Sequence, residues 1–338
     1  MSIVALISVG LVIWLGFASH RASLCTVRAV GEIMTSGTAH MLSSFAKAAA
    51  WATAVAGAVL LVASPSGMSL IDRTPHIYTL AGGFLFGVGA AVNGACSLST
   101  LQRLADGDIS MLGTTAGLAA GITAWSASAH RFHLTASQSL ADPWSSHDTW
   151  VVFMLSALWL WVAWEALRLW RVHRSPAPLF QRLFSPAYRL STAAAIMGVS
   201  GGLLYSLQGT WTYTRFLHAQ VDSWVAQVPP PSAMQGVLVL ALVAGMLLSS
   251  WQRRSFALRL GRPATVGRRF AGGLLMGMGV ALIPGGNDTL ILRAIPTLSA
   301  WALAAYLALL AGVAVALLAM RALGGRMAPI VCSDDRCA

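Results

Sequence analysis

Charge is what this sequence has least of. Only 10 % of its 338 residues are Asp, Glu, Lys or Arg, where soluble domains carry about 25 %. A soluble globule of this length cannot cover its surface with so few charges, so a cytosolic enzyme and a disordered chain are both excluded. Cysteine is scarce too, with four in the whole chain, which excludes a disulfide-rich secreted module. Cys25, Cys96, Cys332 and Cys337 match no zinc-binding spacing, and no His stands close to the last pair. There is no G-x-x-x-x-G-K-[ST] phosphate loop and no appended soluble domain, which argues against ATP-driven work by this chain alone. No metal or cofactor site is legible, and the chain reads as a non-enzyme.

What is abundant is apolar surface, at 57 % of residues. About 20 apolar residues in helical form cross a bilayer, and helices are the expected spanning structure because they satisfy their own backbone. Nine stretches qualify: Ser2 to Ala18, Leu42 to Ala63, Ile77 to Cys96, Ile109 to Ala129, Trp150 to Trp170, Leu190 to Leu207, Ala233 to Ser250, Arg269 to Pro284 and Leu298 to Met320. The first lacks a basic n-region and an A-x-A cleavage site, so it reads as a retained span. With the N-terminus outside, 18 of the 22 Lys and Arg residues fall in inside segments. That asymmetry is the positive-inside signal of a multi-pass protein with a cytoplasmic C-terminus. It explains the net charge of +11 without nucleic acid. Tryptophans such as Trp125, Trp144, Trp150, Trp170, Trp211, Trp224, Trp251 and Trp301 lie near span ends, as in an interfacial aromatic belt.

The chain divides into a first half at 1–170, a cytoplasmic linker at 171–189, a second half at 190–323 and a cytoplasmic tail at 324–338. The halves carry a repeat. Gly82-Gly83-Phe84-Leu85-Phe86-Gly87-Val88-Gly89-Ala90-Ala91 aligns with Gly272-Gly273-Leu274-Leu275-Met276-Gly277-Met278-Gly279-Val280-Ala281, and Arg103 aligns with Arg293 at the same offset. The two segments belong to the third and eighth spans, which cross in opposite directions, so the repeat has inverted topology. Such repeats place the substrate site near the midplane, at broken helices. Each Gly-rich helix ends in a polar break: Asn93-Gly94-Ala95-Cys96-Ser97 in one half and Pro284-Gly285-Gly286-Asn287-Asp288 in the other.

The candidate pathway residues follow from these breaks. Cys96 sits at the first; Asn93 and Asn287 are either neutral donors or turn-forming residues. Cys25 follows the first span, and Arg21, four residues earlier, could attract an anion or lower the thiol pKa, whereas burial would raise it. Asp288 and Arg293 read as an interfacial ion pair. The Cys332-Ser333-Asp334-Asp335-Arg336-Cys337 tail reads as a disordered end or as a redox pair.

Arg21-Ala22-Ser23-Leu24-Cys25 resembles the R-S-x-F-C element of the YeeE/YedE sulfur-transport family. Gly87 through Cys96, Gly209-Thr210-Trp211-Thr212-Tyr213-Thr214, and Gly272 through Asp288 are similar to three further elements of that family. The resemblance implies an all-α inner-membrane protein with short re-entrant helices, which takes up thiosulfate or a related sulfur compound. It also implies a central line of cysteines that pass the substrate by S–H hydrogen bonding, and a TusA-like sulfur carrier as a cytoplasmic partner. Cys25 and Cys96 match the first two family cysteines, while Gly286 stands where the third belongs. The expected pathway set is therefore Cys25, Cys96, Arg21, Asn93, Ser97, Gly286 and Asn287. A membrane-embedded sulfurtransferase and a sulfur-compound sensor are the alternatives.

Overall fold

The computed structural model describes residues 2–63, 72–73, 77–131, 139–140, 149–172, 185, 187–209, 211–225, 228–283, 285–325, 329–333 and 335–337. Pro284 and Thr210, Trp144, and most of the linker lie outside these residues. Among the described residues, long helices occupy the expected apolar stretches: α1 (Ile3–Arg21), α3 (His40–Ala63), α4 (Ile77–Asn93), α6 (Met111–Arg131), α7 (Thr149–Val172), α8 (Leu190–Gln208), α10 (Ala233–Arg253), α11 (Pro263–Leu282) and α13 (Ala300–Ala322). The architecture is all-α; strand is confined to two-residue pairs, β1 (Asp72–Arg73) with β2 (Ser139–Leu140) and β3 (Cys332–Ser333) with β4 (Arg336–Cys337). Among the described residues, seven helical stretches are long and apolar enough to cross a membrane, or eight if α11 and the helix after it, bent by 41°, form one span. The expectation was nine. The difference is α6, which has the length but carries Gly113, Gly117 and Gly121 with several Thr and Ser.

Four long helices are each followed by a break and a short helix. These short helices are α2 (Thr26–Ser36) after α1, α5 (Ser97–Ala105) after α4, α9 (Tyr213–Val225) after α8, and α12 (Asn287–Ala294) after α11. The last five residues of α12, Leu290–Ala294, are π-helical. Each break turns through one residue of positive φ: Ser23 (49°), Gly94 (77°), Gly209 (68°) and Gly285 (144°). Three are glycines because a Cβ disfavours that conformation. α4 therefore ends at Asn93 rather than running to Cys96, and α11 starts at Pro263, ahead of the expected Arg269, since Pro is preorganised for the first helical turn.

The packing is paired. α1 lies against α10 as α8 lies against α3; α4 lies against α13 as α11 lies against α6; α4 and α11 pack on each other, as do α1 and α8. At the α4–α11 crossing the repeated glycines face one another. A Cβ on Gly89 would stand 2.6 Å from the Gly272 carbonyl oxygen, and one on Gly279 would stand 2.6 Å from that of Gly82. Small residues permit this backbone approach, the usual device of helix association in lipid. Outward faces remain apolar: Phe153, Leu160 and Trp164 on α7 and Leu240 on α10 are all more than half exposed, as a lipid-facing surface requires. α7 is pinned to α3 by Lys47 Nζ to Glu165 Oε1 (3.0 Å), with Glu165 fully buried and also held by Arg168 (3.2 Å).

Candidate functional site

The residue before each short helix begins its first turn, and the four such residues are Cys25, Cys96, Thr212 and Gly286. Each carbonyl accepts from the amide four residues on: Ala29, Thr100, Phe216 and Leu290. No side chain caps the helices starting after Cys25, Cys96 or Gly286. The first-turn amides there are turned on the site's own acceptors: Arg28 N on the Cys25 thiol, Ser99 N on the Cys96 thiol, and Asp288 N and Thr289 N on the Asp288 carboxylate.

Cys25 and Cys96 are free and buried, at 2 % and 1 % exposure. Their thiols adjoin each other, although 71 positions separate them in sequence. Cys96 Sγ also lies 3.5 Å from Ser99 Oγ. Asn287 Nδ2 faces Cys96 Sγ at 4.0 Å from the opposite half of the chain, while Asn287 Oδ1 is buried with no partner. The two ends of an amide are interchangeable by a flip. Flipped, Asn287 would accept from the Cys96 S–H and present its N–H donors to the vacant side. The Thr26 and Tyr306 hydroxyls adjoin one another, and neither completes a hydrogen bond of good geometry. Buried polar atoms left without partners are rare in proteins, and Asn287 Oδ1, Thr26 Oγ1 and the Tyr306 hydroxyl are three of them.

The second half supplies a hydroxyl cluster. Thr212 Oγ1 is 2.6 Å from Thr289 Oγ1, and Thr214 Oγ1 donates to Asp288 Oδ1 at 2.6 Å. Thr214 N donates to Asp288 Oδ2 at 3.1 Å, and Gly286 N donates to Thr214 Oγ1 at 2.7 Å. Ser97, next to Cys96, reaches Asp288 Oδ1 at 3.4 Å and joins the two clusters. Gly286, where the family resemblance leads one to expect a third cysteine, has no room for a side chain without a shift of its neighbours. A Cβ there would lie 2.8 Å from Thr214 Cγ2, 3.0 Å from Phe86 Cε2 and 3.2 Å from Asp288 Oδ1. Thr214 and Phe86 fill the space a cysteine would need.

Two expected residues are committed elsewhere. Asn93 Nδ2 donates to the Ala95 carbonyl (2.8 Å) and Thr100 Oγ1 (3.1 Å), and its Oδ1 accepts from Thr114 (2.7 Å). It braces the α4–α5 break. Arg21 is buried and stacks over Phe17 at 4.7 Å, donating to Ser249 Oγ (3.0 Å), Gln252 Oε1 (2.6 Å) and the Ser185 carbonyl. It ties α1 to α10. Beside it His20 bridges Ser249 (3.0 Å) and Asp106 (3.2 Å), and Ser250 and Ser255 also donate to Asp106. Burial alone would push the Asp106 carboxyl up, but hydrogen bonds from His20, Ser255 and Ser250 and the His20 charge outweigh it and hold it at about 2.

Cys332 and Cys337 form a disulfide that closes the β3–β4 hairpin. Asp335 seats this hairpin on the start of α8, its carbonyl accepting from Leu190 N (2.7 Å) and its carboxylate from Ser191 N (3.0 Å). Thr26, Ser99, Thr214, Asp288 and Tyr306 are site residues that the sequence reasoning missed. Only Thr214 and Asp288 had a signal, as the last residues of two family-like elements.

Paired helix–break–helix units that gather thiols, hydroxyls and helix starts inside an apolar bundle define a multi-pass membrane protein with a buried polar site between its halves. The Sulphur transport family matches residues 21–315, and the chain belongs to it. No curated protein matches the chain. Family and fold together make this a sulfur-related membrane transporter.

Proposed function

We propose that the protein imports thiosulfate or a closely related sulfur-containing anion, and that the anion passes between the halves at Cys25, Cys96, Ser97, Asn287 and the Gly286 break. The reading includes an inverted repeat of 1–170 and 190–323 about the α4–α11 and α1–α8 contacts, an inner-membrane location and a cytoplasmic C-terminus. The paired packing and the reciprocal glycines support the repeat. The observation that carries the substrate reading is the contact of two buried free thiols facing an amide whose far end has no partner.

The chemistry suits a soft dianion. Charge is costly in hydrocarbon, and a conducting site must replace part of the hydration without binding too tightly. S–H groups are weak donors, matched to a polarisable terminal sulfur. The Asn287 amide supplies a firmer donor to the oxygens. With Gly286 in the third family position, the relay in this chain has two thiols, and the Thr212–Thr214–Thr289 hydroxyls stand in the place of the third. A TusA-like carrier fits as the cytoplasmic acceptor.

Uptake of radiolabelled thiosulfate by proteoliposomes holding the purified chain tests this. Saturable uptake that excess sulfate does not abolish is expected; sulfate competing as well as thiosulfate would refute a thiol-based site. The adjacency of two thiols favours one second reading, a sulfur carrier. In it, a Cys96 persulfide forms as sulfite leaves, visible as a mass gain of about 32 Da.

A further inference from the structure

We infer that Asp288 is a proton-binding site coupled to the anion, so that the protein works as a proton–anion symporter; this rests on the transport reading above. Asp288 is 5 % exposed and lies in the helix that forms a bent candidate span with α11. An ionisable residue inside a spanning segment is expensive and marks ion or proton handling by default. Its surroundings are neutral donors. Facing it are Thr214 and Tyr213 from α9, Ser97 with Cys96 from α5, and Phe86 of α4 through the Gly286 position. Cys25, the residue before α2, adjoins Cys96, and the charge on the Cys96 thiolate would be felt at Tyr306 of α13. The charged residue of its own helix, Arg293, comes five positions later, in the π-helical turn.

The wiring joins this carboxyl to the anion site by two short routes. One runs from Gly286 N through Thr214 Oγ1 to Asp288 Oδ1, at 2.7 and 2.6 Å. The other is Ser97 Oγ, 3.4 Å from the same oxygen and adjacent in sequence to Cys96. The independent sign of a guest is Asn287, the neighbouring residue, whose buried Oδ1 has no partner. An anion lodged against Cys96 and Asn287 would share one hydrogen-bonded group with the ionised Asp288, in a low-dielectric setting where like charges repel strongly. Binding the anion therefore requires a proton on Asp288, and by reciprocity the anion raises the carboxyl's affinity for that proton. The proton enters from the water on the substrate's side and leaves with the anion into the water opposite. Asp288 returns as the carboxylate, held again by Thr214.

The test measures thiosulfate affinity and proton movement together, with a pH dye sealed inside proteoliposomes. For the wild type, affinity is expected to fall about tenfold for each pH unit above the carboxyl's own range, and thiosulfate addition should acidify the lumen. Asp288→Asn, which keeps the shape of the protonated form, should bind thiosulfate with a pH-independent affinity and move no protons. Uptake by wild type without lumenal acidification overturns the inference while leaving the transport reading intact. So does Asp288→Asn that keeps the wild-type pH slope. Absence of any uptake by wild type overturns both. If Asp288→Asn does not fold, Asp288→Glu, which keeps the titration, decides: an unchanged proton-to-anion ratio supports the site, and a loss of acidification with uptake retained refutes it.

Discussion

Adding one methyl group at Gly286 is the sharpest structural perturbation available. Its φ of −104° and ψ of −160° are ordinary extended backbone, so Gly286→Ala carries no torsional penalty. The cost is steric: the new Cβ stands 2.8 Å from Thr214 Cγ2 and 3.0 Å from Phe86 Cε2. Overpacking of this kind costs about 1–3 kcal/mol. Shifting Thr214 also stretches its bonds to Gly286 N (2.7 Å) and Asp288 (2.6 Å), and each buried hydrogen bond is worth about 1 kcal/mol. A loss of about 2–4 kcal/mol is therefore expected for Gly286→Ala, and Gly286→Cys should lose more. Thr214→Ser keeps the hydroxyl and deletes the clashing methyl. The double variant should recover about 1–2 kcal/mol through a coupling term that independent sites would not show. Denaturation in detergent of the four proteins of the cycle measures this. Additive losses, or Gly286→Cys at wild-type stability, would refute the view that Thr214 and Phe86 have taken the place of a third cysteine.

Two further variants probe the scaffold. Glu165→Ala leaves Lys47, which is one-fifth exposed and keeps Ser191 Oγ (2.7 Å), without its carboxylate at the α3–α7 contact; losing such a charged hydrogen bond costs about 1.5–3 kcal/mol, and a change under about 0.5 kcal/mol in detergent melts would contradict the packing. Asp106→Asn removes a carboxyl held at about 2 rather than 3.8, a gap worth about 2 kcal/mol that solvent screening at this one-third-exposed side chain reduces to about 1 kcal/mol. Because the folded value is depressed, the stabilisation is present above about pH 4 and disappears as pH falls toward about 2. The wild-type and Asp106→Asn melting curves should therefore converge across that window, and a constant difference would exclude the network as its cause.

The long helices were legible because apolar runs and glycine spacing are local properties. Two of the four breaks were legible for the same reason, Asn93-Gly94 and Gly285-Gly286, whereas those at Ser23 and Gly209 carry only one turn-forming residue each. Side-chain partnerships were less so, since they depend on which distant segments meet. Asp288 reads as the partner of Arg293 by proximity along the chain, yet its hydrogen bonds come from Thr214 and Ser97. Arg21 reads as an anion lure beside Cys25, yet its guanidinium faces Ser249, Gln252 and Phe17. The Cys332–Cys337 hairpin closes on residues five apart, but its seat on α8 has no local signature. That Cys25 and Cys96 belong together came from family resemblance alone; no periodicity joins residues 71 positions apart.

The central claim is that a sulfur anion passes the paired thiols, and thiosulfate flux through Cys25→Ala and Cys96→Ala proteoliposomes tests it most directly. Each variant should stay folded, because deleting one buried sulfur leaves only a small cavity. Each should lose about tenfold or more in uptake, the equivalent of one donor worth about 1.4 kcal/mol. Wild-type uptake in both variants would contradict the account.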